Sequence, residues 1–161
     1  MAPSKLAATK GARRREEVRE FLAFGLDGDR FALPLASVRE ILKVAPITEV
    51  PRARPHVLGI LSVRGRITTV FDLRRRLRMS AAPPTKASRI LLVEGSDEVV
   101  GLLVDEVFQV YRLQDDEIEL AGVVAGDLSE YVMGIGRPGV DEDTKLDEIL
   151  ILLDPEPLLR R

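Results

Sequence analysis

Gly59-Ile60-Leu61-Ser62-Val63-Arg64-Gly65, followed by Ile67-Thr68-Thr69-Val70-Phe71-Asp72-Leu73-Arg74, is the most informative stretch of this chain. It reads as an apolar strand, an Arg-Gly turn and a second apolar strand. Asp72 then stands where an N-cap would start a short helix over Leu73–Leu77. The Arg-Gly pair places a fixed positive charge at a tight turn between two buried strands. That arrangement suits the docking of a partner and supplies no chemistry.

Outward from this hairpin the same pattern recurs. Phe21–Leu26 is apolar on both faces, Asp27-Gly28-Asp29 is a turn, and Arg30–Leu35 returns, which makes a hairpin. Ser37 is placed to cap one helical turn carrying Val38, Ile41 and Leu42. Strand-like runs follow at Ile47–Val50, Arg89–Val93, Val99–Val104, Val107–Leu113, Tyr131–Gly136 and Ile149–Leu153, with a turn at Gly95-Ser96-Asp97 and a loop over Met79–Ala87. Asp154-Pro155-Glu156-Pro157 begins a final helical turn. About ten short strands without a crossover helix predict an all-β barrel or sandwich, mainly β with short helices. A loose strand-turn-strand rhythm shared by the two halves suggests a pair of small barrels. Residues 1–18 read as a flexible basic tail, with a weak helix over Arg13–Glu20, and 19–161 as the folded part.

Composition narrows the classes. Hydrophobic residues make up 45% of the 161 residues, enough for a core, but aromatics are only 4%, so that core is aliphatic. No apolar run approaches the roughly 18 residues of a membrane-spanning helix. Cysteine is absent, which removes disulfides and thiolate chemistry and is compatible with a reducing cytoplasm. The net charge of −2 hides a polarity: residues 1–80 carry 17 Lys and Arg against 8 Asp and Glu, and residues 81–161 carry 7 against 18. Such a molecule is suited to head-to-tail association, because opposite potentials steer encounter.

The residues offer little for catalysis. One histidine, His56, cannot build a Ser–His–Asp set or a His-rich metal site, and its place at a strand entrance suits a packing residue. Gly134-x-Gly136-x-x-Gly139 ends a strand and contains Pro138, so it is no phosphate loop. Asp141-Glu142-Asp143 and Asp115-Asp116-Glu117 lack the alternating ligands of a calcium loop and read as solvated turns. Arg74-Arg75-Arg76 with Arg78 hints at nucleic acid, but exposed aromatics for base stacking are missing. Arg75, Arg76 and Arg78 read instead as the solvated side of a short helix, with Leu73, Leu77 and Phe71 inward. Val38, Ile41, Val107 and Val110 exceed what one small barrel can bury. They mark either an exposed apolar patch or an interface between two barrels.

Seven elements in order resemble the CheW family of chemotaxis adaptors, from about Phe21 to Leu159: Phe21-Leu-Ala-Phe-Gly-Leu with its acidic turn, Leu35-x-x-Val38-x-Glu40-Ile41, Pro51 with Val57-x-Gly59-Ile60 and Val63-Arg64-Gly65, Val70-x-Asp72-Leu73-Arg74, Val100-Gly101-Leu102-x-Val104-Asp105-x-Val107, Tyr131-x-x-Gly134-Ile135-Gly136, and Ile149–Asp154. The resemblance implies two five-stranded SH3-like β-barrels packed over a shared apolar core, no enzymatic activity and no cofactor or metal. It implies a cytoplasmic adaptor recruited to receptor arrays. Its partners would be the cytoplasmic tip of a chemoreceptor and the regulatory domain of a CheA-type histidine kinase, with no nucleic acid and no small-molecule substrate. By motif, Val38, Glu40, Ile41, Arg64, Val107 and Val110 fall at the receptor-facing groove, with Glu40 and Arg64 paired, and Ile67 and Ile90 at the kinase face. The sequence departs from the family pattern at Ser62-Val63, at Thr69 and in its long basic N-terminal segment. The rival expectations are a CheW-like regulatory module of another two-component pathway and a nucleic-acid-binding barrel.

Overall fold

The computed structural model describes residues 17–120, 130–139 and 148–161. Among these it has eleven strands: β1 Val18–Leu26, β2 Asp29–Pro34, β3 Val38–Lys43, β4 Val57–Val63, β5 Arg66–Asp72, β6 Arg89–Glu94, β7 Val99–Val104, β8 Glu106–Gln114, β9 Ile118–Leu120, β10 Val132–Gly136 and β11 Leu150–Leu153. Two helices of one turn, α1 Leu73–Arg76 and α2 Pro155–Leu158, are capped as the sequence suggests. The Asp72 carboxylate accepts from Arg74 N at 3.1 Å, and Asp154 from Glu156 N at 3.1 Å.

The strands form two sheets, with orders β3-β6-β7-β5-β4 and β8-β1-β2-β11-β10-β9. In each, the two edge strands are neighbours in sequence, and in the six-stranded sheet the link between them is so short that the sheet must curl. Edge strands of a flat six-stranded sheet lie about 24 Å apart, at ~4.8 Å per step. Gln114 and Ile118, separated only by the 3-10 turn Asp115–Glu117, can span at most about 14 Å. The six-stranded sheet is therefore rolled, and β9, which the sequence did not announce, supplies its last strand. The N-terminal hairpin β1–β2 belongs to this second unit, where β2 lies parallel to β11.

Strands apolar on both faces now have an explanation. Along β1, Phe21 and Ala23 point into the second barrel, while Leu22, Phe24 and Leu26 point into a core shared with the first. Along β6, Ile90 and Leu92 fill the first barrel, and Leu91 and Val93 face the shared core. The period of 2 thus divides each strand between two apolar environments.

Three expectations are corrected. Val38–Leu42 is strand β3, preceded by a 3-10 turn at Leu35–Ser37, and the Ser37 hydroxyl donates back to Pro34 O at 2.7 Å instead of capping a helix. A bulge between Val38 and Glu40 puts Val38 and Ile41 opposite Val93 and Leu91 of the shared core, so residues three apart share a face and imitate a helical period. Ile47–Val50 makes only one bridge, Thr48 to Ile60. Val18–Glu20, the described end of the expected Arg13–Glu20 helix, is extended; the tail before it and Asp141-Glu142-Asp143 lie outside the described residues.

The charge polarity falls on the two barrels. Residues 38–104, which hold β3 to β7, carry 12 Lys and Arg against 6 Asp and Glu; the other described residues carry 6 against 14. At the seam, Arg74 reaches from α1 to the Asp105 carboxylate through Nε at 2.9 Å and Nη2 at 2.7 Å, and to Ser80 O at 3.0 Å. Asp105 also accepts from Asp27 N in the β1–β2 turn at 2.8 Å. The Arg74 hydrogen bonds hold the Asp105 carboxyl below its ordinary range. A depressed carboxyl contributes stability above its unfolded value of about 3.9 that is lost as pH falls through its folded value. Asp105→Asn is therefore expected to have a shallower acid-unfolding limb below about pH 4 than the parent. Parallel acid limbs in urea titrations at stepped pH would contradict this.

Candidate functional site

Arg64 and Gly65 form the two-residue turn between β4 and β5, both at positive φ, +49° and +81°. This is the backbone of a tight hairpin turn whose twist matches its strands. Arg64 has no need of this conformation and bears its steric cost. In return its side chain is held over β3, where Nη1 donates to Glu40 Oε1 at 2.6 Å and Nη2 to Oε2 at 2.5 Å. The bond from Arg64 draws the Glu40 carboxyl below its ordinary value. The Arg64 side chain is 71% exposed, so the pair orients two charges and adds little stability.

The aliphatic candidates border the shared core from its two edge strands. Val38 and Val107 are half-buried against it, while Ile41 and Val110 remain 44% and 41% exposed. On β8, Val107 lies opposite Phe24 and Val110 opposite Leu22, with a register shift between them, so a bulge again places residues three apart on one face. The patch and the interface foreseen as alternatives are therefore one feature: the shared core continues to the surface at β3 and β8. No cation-binding group of three or more His, Asp or Glu exists among the described residues, and no helix there is long and apolar enough to cross a membrane.

Ile67, at the start of β5, is 68% exposed. It lines an open groove with Arg64, Arg66, Glu40, Glu98 and Arg161. Arg161 crosses from the second barrel, donating to Glu98 Oε1 at 2.9 Å and to Thr69 Oγ1 at 3.2 Å. Ile90, expected on the same face, is fully buried inside the first barrel. Its neighbours on β6 alternate, and position 90 falls on the inward face, so it presents nothing to a partner. Arg161 is the groove residue sequence reasoning did not single out, because only tertiary packing carries it from the chain's end to β5 and β7.

Residues 20–161 match the family model described as the CheW-like domain. The chain is 26% identical to the chemotaxis protein CheW of Helicobacter pylori over 146 residues, 91% of this chain and 84% of that protein. It is 36% identical to the CheW of Rhizobium meliloti over 109 residues, 68% of this chain and 70% of that protein. The crystal structure of the scaffolding protein TtCheW from Thermoanaerobacter tengcongensis superposes with a TM-score of 0.80 at 27% identity, covering 90% of this chain and 94% of that one. The paired SH3-like β units, the Arg-Gly hairpin and these matches agree: the chain belongs to the CheW family.

Proposed function

We propose that this protein is a non-catalytic adaptor that couples chemoreceptors to a CheA-type histidine kinase in chemotaxis or motility signalling. It controls phosphotransfer by position and acts in the cytoplasm on receptor arrays. The observation that carries the reading is the rim where the shared core reaches the surface beside a bidentate, exposed ion pair. Aliphatic side chains at 41–44% exposure supply contact area, and Glu40 and Arg64 supply orientation. We assign the receptor tip to Val38, Glu40, Ile41, Arg64, Val107 and Val110, and the kinase regulatory domain to the groove around Ile67. The opposite net charges of the two barrels favour head-to-tail contacts between homologous modules.

Arg64→Glu is expected to weaken binding of a receptor cytoplasmic fragment at least about 10-fold, with little change in stability. Ile67→Ser is expected to weaken kinase binding and leave receptor binding unchanged. Binding titrations of both variants against both partners check the assignment. Full receptor affinity in Arg64→Glu, or equal losses toward both partners in Ile67→Ser, would contradict it.

A further inference from the structure

His56 and Arg76 form a feature that the adaptor reading does not use. Arg76, on α1, was expected on a solvated face, but it is half-buried and spans the seam between the barrels. Its Nε donates to Leu158 O at 3.1 Å and its Nη2 to Pro157 O at 3.2 Å and to Arg160 O. The guanidinium lies 5.7 Å from the Phe71 ring centre and 5.4 Å from that of Tyr131. The remaining nitrogen, Nη1, is 3.4 Å from His56 Nε2. An arginine has no lone pair to accept with, so this contact is a hydrogen bond only when Nε2 is unprotonated and the imidazole carries its proton on Nδ1. His56 is 8% exposed, edge-on to Phe71 at 4.7 Å between ring centres. Its ring therefore has little room to turn away.

We propose that His56 and Arg76 are a proton-operated clamp: the neutral imidazole lets Arg76 hold the C-terminal segment 155–161 on the first barrel, and protonation of His56 displaces that guanidinium and frees the segment. The surroundings favour this direction. Arg54 stands on the same loop, Arg76 and Arg75 on α1, with Arg75 Nη1 donating to Pro55 O at 3.3 Å. At the end of β5 the Asp72 carboxylate is committed to Arg74 N and to Arg75, and the Asp72 N–H donates to His56 O. From β10's side come the Tyr131 ring and the α2 carbonyls, with Glu130 and Arg78 acting on Tyr131. A second positive charge beside Arg76 thus meets Arg76 and Arg54, and among the described residues no carboxylate is bonded to the His56 ring. Burial, then Arg76 and Arg54, hold the imidazole below its ordinary value. A His so depressed contributes stability in full above its unfolded value of about 6.5, and that contribution falls away as pH drops through the folded value.

What would move is also defined. Segment 155–161 carries Leu158 and Leu159 into the shared core and Arg161 to Glu98 and Thr69 in the groove of Ile67. Releasing it would loosen the seating of the second barrel on the first and alter that groove. This consequence for docking rests on the adaptor reading; the clamp itself does not.

The chain has one histidine, so one imidazole resonance reports the switch without assignment ambiguity. An NMR titration of the full chain from pH 8 to 4.5 is expected to show that resonance titrating below 6.5. Backbone amides of Leu159 and Arg160 should shift with the same midpoint, and their pH-corrected exchange should rise at least 10-fold across it. In His56→Gln, which keeps an acceptor oxygen and does not titrate, those amides should not respond. A His56 midpoint at or above 6.5, or segment amides that ignore it, would overturn the proposal from the parent protein alone. Equal responses in parent and His56→Gln would overturn it as well. Normal kinase binding at low pH with the segment released would count against the groove of Ile67 as the docking site and leave the clamp standing.

Discussion

Phe24→Ala is expected to destabilise the protein by about 3–5 kcal/mol and to do so for both barrels at once. Phe24 is fully buried in the shared core, with its ring stacked near Phe31 at 6.3 Å between centres. Truncation removes a large apolar side chain and leaves a void that β1 cannot close, since β1 is fixed by ladders to β8 on one side and β2 on the other. At roughly 2–4 °C per kcal/mol for a chain of this size, the melting temperature should fall by roughly 6–20 °C. The informative part is the cooperativity. Phe24 is on a strand of the second barrel, but the same core contains Leu91, Val93 and Leu102 of the first. Calorimetry should show one transition, and exchange of β6 and β7 amides should accelerate together with those of β1. Faster exchange in β1 alone would mean that the two barrels are independent and the common core does not couple them.

Gly59→Ala is expected to cost about 2–5 kcal/mol, from overpacking and backbone strain combined. Gly59 has φ +152°, and a Cβ there would lie 2.1 Å from Thr48 O. That carbonyl accepts from Ile60 N at 2.8 Å, and Thr48 N donates to Ile60 O at 3.0 Å. This single bridge holds the segment between β3 and β4 against the edge of the first barrel, so the clash falls on backbone that cannot yield without losing it. Gly28→Ala is the control: it also has positive φ, +87°, but no atom lies within 4 Å of the added carbon. Denaturant unfolding of the two variants separates the effects. Should Gly59→Ala cost no more than Gly28→Ala, steric crowding at the bridge is not what this glycine relieves.

Particular elements show how much was readable beforehand. Both Asp caps, the Asp27-Gly28 and Arg64-Gly65 turns and the longer strands were legible, because each depends on a few consecutive residues. Val38–Leu42 was misread because its bulge gives two apolar residues a helix-like spacing, and pairing with β6 decides the matter. β9 has three residues and no alternation, so only its partner β10 reveals it. Of the site residues, Ile67 and the Glu40–Arg64 pair are at the surface as expected, and Ile90 is not. Strand β6 is buried on both faces, Ile90 inside the first barrel and Leu91 in the shared core, and motif position does not reveal that without the assembled sheets.

The amino-acid sequence by itself determined an all-β chain with its tight turns, its aliphatic core residues and an excess of apolar faces over what one barrel can bury. These follow from local sterics and the period of 2 along each strand. Tertiary structure alone decided that the N-terminal hairpin joins the C-terminal strands, that the opposite charges divide between the barrels, and that Arg76 leaves solvent to hold the last residues of the chain. Those outcomes depend on contacts between segments some 80 residues apart, such as Arg76 with Leu158. Such contacts are set by which faces can be buried together, a property of the assembled sheets that no stretch of sequence contains.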